Sequence, residues 1–131
     1  TLYTVGSVRD IKDARTYVSV DGGMIDNPRF VLYGAEYDAV VANRANAPRD
    51  KVQTIAGRCC ESGDLVARDL KFQTAKAEDI ICTFATGAYN FSMASNYNRV
   101  PRPSIILVKE DGTTAEVVRR QTYEDLISCD L

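Results

Sequence analysis

No apolar run in this chain is long, and each is cut by glycine, proline or an Asn/Asp turn. That punctuation leaves room for short strands and little for amphipathic helices. Tyr3–Val8 alternates weakly in polarity, and Thr16–Asp21 is rich in β-branched and aromatic residues. Both read as strands. Ala39–Ala42, Val52–Ile55, Asp64–Ala67 and Asp79–Ala85 read the same way, separated by Gly22-Gly23, Asn27-Pro28 and the stretch Arg44–Asp50. Arg9–Arg15 is polar and predicts a turn, and Phe30–Tyr33 is a further short apolar run. Ser104–Val108 and Thr114–Arg120 flank Asp111-Gly112, which supplies positive φ cheaply and so predicts a hairpin. Helix is expected around Asn90–Ala94 and from a capping box at Thr122 through Ile127, with Ala75–Glu78 a brief helical turn or a loop. The fold class that accommodates this pattern is mainly β: a closed or partly open β-barrel with one or two short helices.

The 131 residues predict a single β-barrel domain with a real core. Hydrophobic residues make up 45% and charged residues 26%, an ordinary globular balance. A net charge of −2 points to no nucleic-acid partner and no anionic membrane. No apolar run approaches the ~20 residues of a membrane span, and none has the make-up of a secretory signal. The chain starts at Thr1 without an initiator methionine, so a piece of a longer protein is expected. The cysteines are Cys59, Cys60, Cys82 and Cys129, with no C-x-x-C pair and no histidine anywhere. No metal site is expected from such a set. Reduced thiols place the protein in the cytoplasm. Without histidine, the commonest general base is missing.

One segment stands apart: Arg58-Cys59-Cys60-Glu61-Ser62-Gly63-Asp64. A thiol sits beside a carboxylate at the end of a strand, where scaffolds display chemistry. It has two accounts: ordinary turn composition with a buried cysteine, or a site. In extended backbone the two side chains would point to opposite faces. Only an irregular or bulged backbone lets both serve one site.

Two further segments join it: Asp21-Gly22-Gly23-Met24 with Asn27-Pro28-Arg29-Phe30-Val31-Leu32-Tyr33, and Thr86-Gly87-Ala88-Tyr89-Asn90 with Phe91–Asn98. In order, spacing and wording the three resemble the C-terminal β-barrel domain of the diaminopimelate decarboxylase family. These are pyridoxal-phosphate enzymes of the alanine-racemase-like, fold-type-III group that also holds ornithine and arginine decarboxylases. The resemblance covers nearly the whole chain, through Arg120–Leu126. It implies a two-domain enzyme in which a TIM-like domain, absent here, carries pyridoxal 5′-phosphate on a lysine. None of the five lysines, Lys12, Lys51, Lys71, Lys76 and Lys109, stands in the matching context.

The resemblance further implies a role for each residue. Cys60 would be the proton donor to Cα after the carboxylate leaves, reaching the site of a partner subunit in a homodimer with shared active sites. A thiol with a pKa near ~8.5 suits that task. Cys59 is the competing thiol, but the family places the donor directly before the acid. Glu61 would hold the distal ammonium of meso-diaminopimelate, and Arg29 its distal carboxylate through a planar fork. Tyr33 would grip the same end, and Tyr89 would contact both cofactor and substrate. The implied reaction is decarboxylation to L-lysine and carbon dioxide. Rival readings are an ornithine, arginine or carboxynorspermidine decarboxylase, or a barrel that only mediates association. The chain departs from the family at Phe30, where many relatives carry proline after the arginine.

Overall fold

Strand β1 (Leu2–Ile11) is shared by two neighbours. Leu2–Thr4 pairs antiparallel with β6 (Ile80–Thr83), and Val5–Ile11 pairs antiparallel with β2 (Arg15–Val20). The register slips between Val5 and Ser7, around Gly6; such a bulge bends a strand and lets it change partners. This is the computed structural model of the chain, and it describes all 131 residues. Residues Thr1–Ala94 form one compact unit and Ser95–Leu131 a second.

The first unit holds a six-stranded sheet in the order β3-β6-β1-β2-β4-β5, with β3 at Ala39–Val41, β4 at Lys51–Ala56 and β5 at Leu65–Phe72. Only β2 and β4 run parallel; every other pair is antiparallel. The sheet curls until the outer strands β3 and β5 approach one another, giving a nearly closed barrel. Side chains finish the closure. Gln73, one residue past β5, accepts the Val41 N–H of β3 through Oε1 at 3.0 Å. Its Nε2 donates to the carbonyls of Ala45 and Ala47. Gln53 of β4 in turn donates to the Gln73 carbonyl at 3.0 Å and accepts the Ala75 N–H at 2.9 Å. Both glutamines are buried, so every one of these polar groups needs its partner.

Alternation fills the interior. In β2, Thr16, Val18 and Val20 point in while the residues between them are half-exposed. Tyr3, Val5, Ile55, Val66, Phe72 and Ile81 join Val18 and Val20 in one core cluster. Each such aliphatic or aromatic side chain contributes about 1.5–3 kcal/mol on burial. In the outer half of β1 only Val8 packs against this cluster, and the residues on either side of it stand in solvent. The expected turn at Arg9–Arg15 is therefore shorter: β1 runs to Ile11 and only Lys12–Ala14 turns. Charged Arg9 and Asp10 are tolerated in the strand because their side chains are solvated. β5 likewise continues through Arg68, Asp69 and Lys71 to Phe72, beyond the expected Ala67.

The run Phe30–Tyr33 lies in α1 (Arg29–Tyr33), a single helical turn. Pro28 begins it, with its carbonyl accepting the Leu32 N–H at 3.0 Å, and Gly34 ends it at φ 65°, a left-handed cap that glycine takes without strain. Helix α2 (Asn90–Met93) falls where a helical turn was expected.

In the second unit, β7 (Ile105–Val108) and β8 (Thr114–Val118) form the expected hairpin. Gly112 takes φ 80° in its turn. Helix α3 (Tyr123–Ile127) opens on the expected capping box: Thr122 accepts the Asp125 N–H, and Asp125 accepts the Thr122 N–H. The chain thus has three short α-helices, one more than the upper expectation, because the apolar run after Pro28 coils instead of extending. No helix is long and apolar enough to cross a membrane.

Candidate active site

Two of the three singled-out segments meet the third at α1. Its first residue, Arg29, places the guanidinium carbon 5.4 Å from the ring centroid of Tyr89, within range of a cation–π attraction. Its third residue, Val31, reaches the thiol–carboxylate loop: a side chain on Gly63 would touch Val31 Cγ1 at 3.8 Å.

The loop itself is a run of tight turns. β4 leaves its register with β5 near Ile55 and Ala56. The Gly57 N–H then donates to the Asp64 carbonyl at 2.8 Å and closes the base of the loop. The Glu61 N–H donates to the Cys59 carbonyl at 2.8 Å, so Cys60 is the middle of a three-residue turn. The Asp64 N–H donates back to Glu61 at 3.0 Å. This backbone abolishes the strict alternation of an extended strand. Cys60 and Glu61 are both exposed. Glu61 Oε1 accepts the Gly63 N–H at 3.2 Å, which steadies the carboxylate.

Asp64, at the end of this turn, is only 3% exposed. Its Oδ1 accepts the Met24 N–H at 2.6 Å and its Oδ2 accepts the Cys59 N–H at 2.8 Å. The carboxylate sits on the α-carbons of Gly23 and Gly57, where any Cβ would overlap it. The sequence reads Asp64 as turn composition, and its contacts with Gly23 and Met24 across the fold were not signalled there. Cys59 is half-buried, and its thiol is pushed up chiefly by burial and next by the Asp64 charge.

Beneath the Gly22-Gly23 turn lies a second polar pair. The buried Tyr3 hydroxyl donates to Asp26 Oδ1 at 2.6 Å, and the Gly23 N–H donates to Oδ2 at 3.2 Å. Burial pushes the Asp26 carboxyl up to about 6, against the opposing Tyr3 hydrogen bond.

Tyr89 holds φ 71°, an uncommon conformation for an aromatic residue. Strain of this kind costs about 1–3 kcal/mol and persists where surroundings impose it. The next residue, Asn90, is buried, with Nδ2 donating to the Thr86 carbonyl at 3.0 Å. The result is a ring held 68% exposed beside Arg29. Tyr33, at the end of α1, is exposed to the same fraction, 68%. An exposed thiol, carboxylate and two phenols beside a half-buried guanidinium can bind a zwitterion and move a proton, but only with a further surface to enclose the ligand.

Residues 1–87 match the family model described as the pyridoxal-dependent decarboxylase C-terminal sheet domain. The chain is 51% identical over 131 residues to a diaminopimelate decarboxylase of Bacillus subtilis, with 100% of the chain and 30% of that protein covered. A diaminopimelate decarboxylase of Synechocystis is 46% identical over 130 residues, 99% of the chain and 28% of the relative. The solved structure of an M. jannaschii diaminopimelate decarboxylase in co-complex with L-lysine superposes with a TM-score of 0.90 at 32% identity, covering 99% of this chain and 29% of that one. The chain therefore spans about 30% of the length of the curated relatives it matches.

Proposed function

The chain belongs to the family of C-terminal sheet domains of pyridoxal-dependent decarboxylases, and from that premise we propose that it is the part of a cytoplasmic diaminopimelate decarboxylase that lends a proton donor and substrate-holding groups to the reaction. The cofactor-bearing TIM-like domain lies outside these residues. Pyridoxal phosphate, when bound, supplies an electron sink for the pair left behind as the α-carboxylate departs. The work of this chain is to place a proton and two charges around that centre.

Cys60 gives its proton to Cα. The bond from Cα to the carboxylate carbon breaks, carbon dioxide leaves, and Cα gains the thiol proton in its place. The thiolate regains a proton from solvent, to which Cys60 is open. Glu61 holds the distal ammonium and Arg29 the distal carboxylate of meso-diaminopimelate. Supplying both signs at the non-reacting end suits a substrate with an amine and a carboxylate there. Tyr33 grips the same end, and Tyr89 lies against the cofactor and substrate. The Tyr89 ring, open outward with the half-buried Arg29 guanidinium over it, fits the flank of a planar anionic group and not an enclosing pocket. The site is thus completed by other surfaces: the TIM-like domain and the partner subunit of a homodimer with shared active sites.

The observation that carries this reading is the meeting of all three segments on α1, with Arg29 against Tyr89 and Val31 against the Cys60–Glu61 loop. The relatives named diaminopimelate decarboxylase, and the L-lysine of the M. jannaschii co-complex, support the same substrate and product. The test is carbon dioxide release from meso-diaminopimelate by the full-length protein with pyridoxal phosphate. Release with L-lysine as product is expected; turnover of ornithine instead, with none of meso-diaminopimelate, overturns the reading.

A further inference from the structure

We infer that Asp64 is a positioning residue for the Cys60 thiol and the Glu61 carboxylate, acting as a buried clamp between their loop and the Gly22–Met24 turn. The inference rests on the function proposed above. Four observations converge on it. The carboxylate is 3% exposed, and both of its oxygens are used: one on the Met24 N–H at 2.6 Å, the other on the Cys59 N–H at 2.8 Å. Hydrogen bonds to an ionised acceptor are the strong kind, and a buried donor deprived of one is costly. Its main chain closes the same loop, with the carbonyl on Gly57 N–H at 2.8 Å and the N–H on the Glu61 carbonyl at 3.0 Å. Gly23 and Gly57 lack the side chains that would overlap the carboxylate, so the clamp needs glycine at both contact points.

A second strand of backbone follows the clamp. The Arg58 N–H donates to the Gly22 carbonyl at 3.0 Å. Loop and turn are therefore joined at two levels, one through backbone and one through Asp64. The turn leads through Asn27 and Pro28 straight into α1 and Arg29. One carboxylate thereby links the thiol, the acid and the arginine to a common frame. It also distinguishes two adjacent cysteines: Cys59 is tied by its N–H and held half-buried, while Cys60 stands at the apex of the turn, exposed.

The test uses the full-length protein with Asp64→Ala, Asp64→Asn and Gly57→Ala. Iodoacetamide labelling, read by peptide mapping, is expected to modify Cys60 roughly tenfold faster than Cys59 in the wild type, because Cys60 is exposed and Cys59 half-buried. Asp64→Ala is expected to erase that preference and to lower kcat by about 100-fold, the scale of a 1 Å misplacement, with cofactor absorbance retained. Asp64→Asn keeps one acceptor and falls between. Gly57→Ala displaces the carboxylate without removing it and reproduces the Asp64→Ala result. Should Asp64→Ala not fold, the other two variants decide. Variants that lose thermal stability yet keep the wild-type labelling ratio and kcat assign Asp64 to stability alone and overturn the inference. A wild type that turns over no meso-diaminopimelate overturns the function instead, and the labelling ratio still decides on the clamp.

Discussion

Asp26 offers a pH test of the frame under the site. Its carboxyl is hydrogen-bonded by the Tyr3 hydroxyl and the Gly23 N–H, yet burial raises it from 3.8 to about 6 in the folded chain. A raised folded pKa means that the folded state holds the proton more tightly than the unfolded state. The associated stability is fully present below pH 3.8 and is lost as pH rises through 6. The full shift corresponds to at most about 3 kcal/mol, at about 1.4 kcal/mol per unit. Between pH 5 and pH 7 the loss is about 1.3 kcal/mol, reduced somewhat by the part of Asp26 that solvent reaches. The chain has no histidine. Carboxyls lowered by ion pairs or hydrogen bonds, such as Asp69 and Asp125, act mainly below this window. The assay is denaturant unfolding at both pH values, for wild type and Asp26→Asn. The wild-type stability should fall by about 1 kcal/mol relative to the variant. Parallel pH profiles for the two proteins would refute the linkage.

Three more perturbations reach the site and the core. Cys60→Ala in the full-length enzyme should depress turnover while leaving cofactor absorbance nearly intact; an unchanged rate removes the thiol from the chemistry. Arg29→Lys loses the planar fork, and steady-state kinetics should show KM for meso-diaminopimelate raised by about 10-fold or more, the worth of a charge-assisted hydrogen bond. Phe72→Ala empties a fully buried position and should cost about 3–5 kcal/mol in denaturant unfolding.

The barrel was legible because turn chemistry is local. In the barrel Gly22-Gly23 and Asn27-Pro28, and in the second unit Asp111-Gly112 and the Thr122 capping box, each declare themselves within four residues, and most β-branched runs between such marks became strands. Strand ends were less legible. Arg9 and Asp10, or Arg68 and Asp69, look like loop when solvated, and only pairing across the sheet extends β1 and β5 over them. Phe30–Tyr33 was ambiguous for a different reason: four apolar residues cannot show a helical period. The candidate side chains were named from wording shared with a family; the approach of Arg29 to Tyr89 and of Val31 to the loop at Gly63 was not readable, because it depends on contacts between residues far apart in sequence. Asp64 was hidden most completely. Its neighbours make it look like a turn residue, and its partners, Gly23 and Met24, lie forty positions away.

The closure of the barrel has a consequence of its own. Between β3 and β5 the cylinder is fastened by the carboxamides of Gln53 and Gln73, not by a ladder. A fastening of that kind is directional and all-or-none: exchange either carboxamide for a carboxylate, and a donor vanishes while a charge enters a dry seam. A glutamate at either position should therefore unzip the cylinder along this line, leaving the ladders of β1, β2 and β6 knitted.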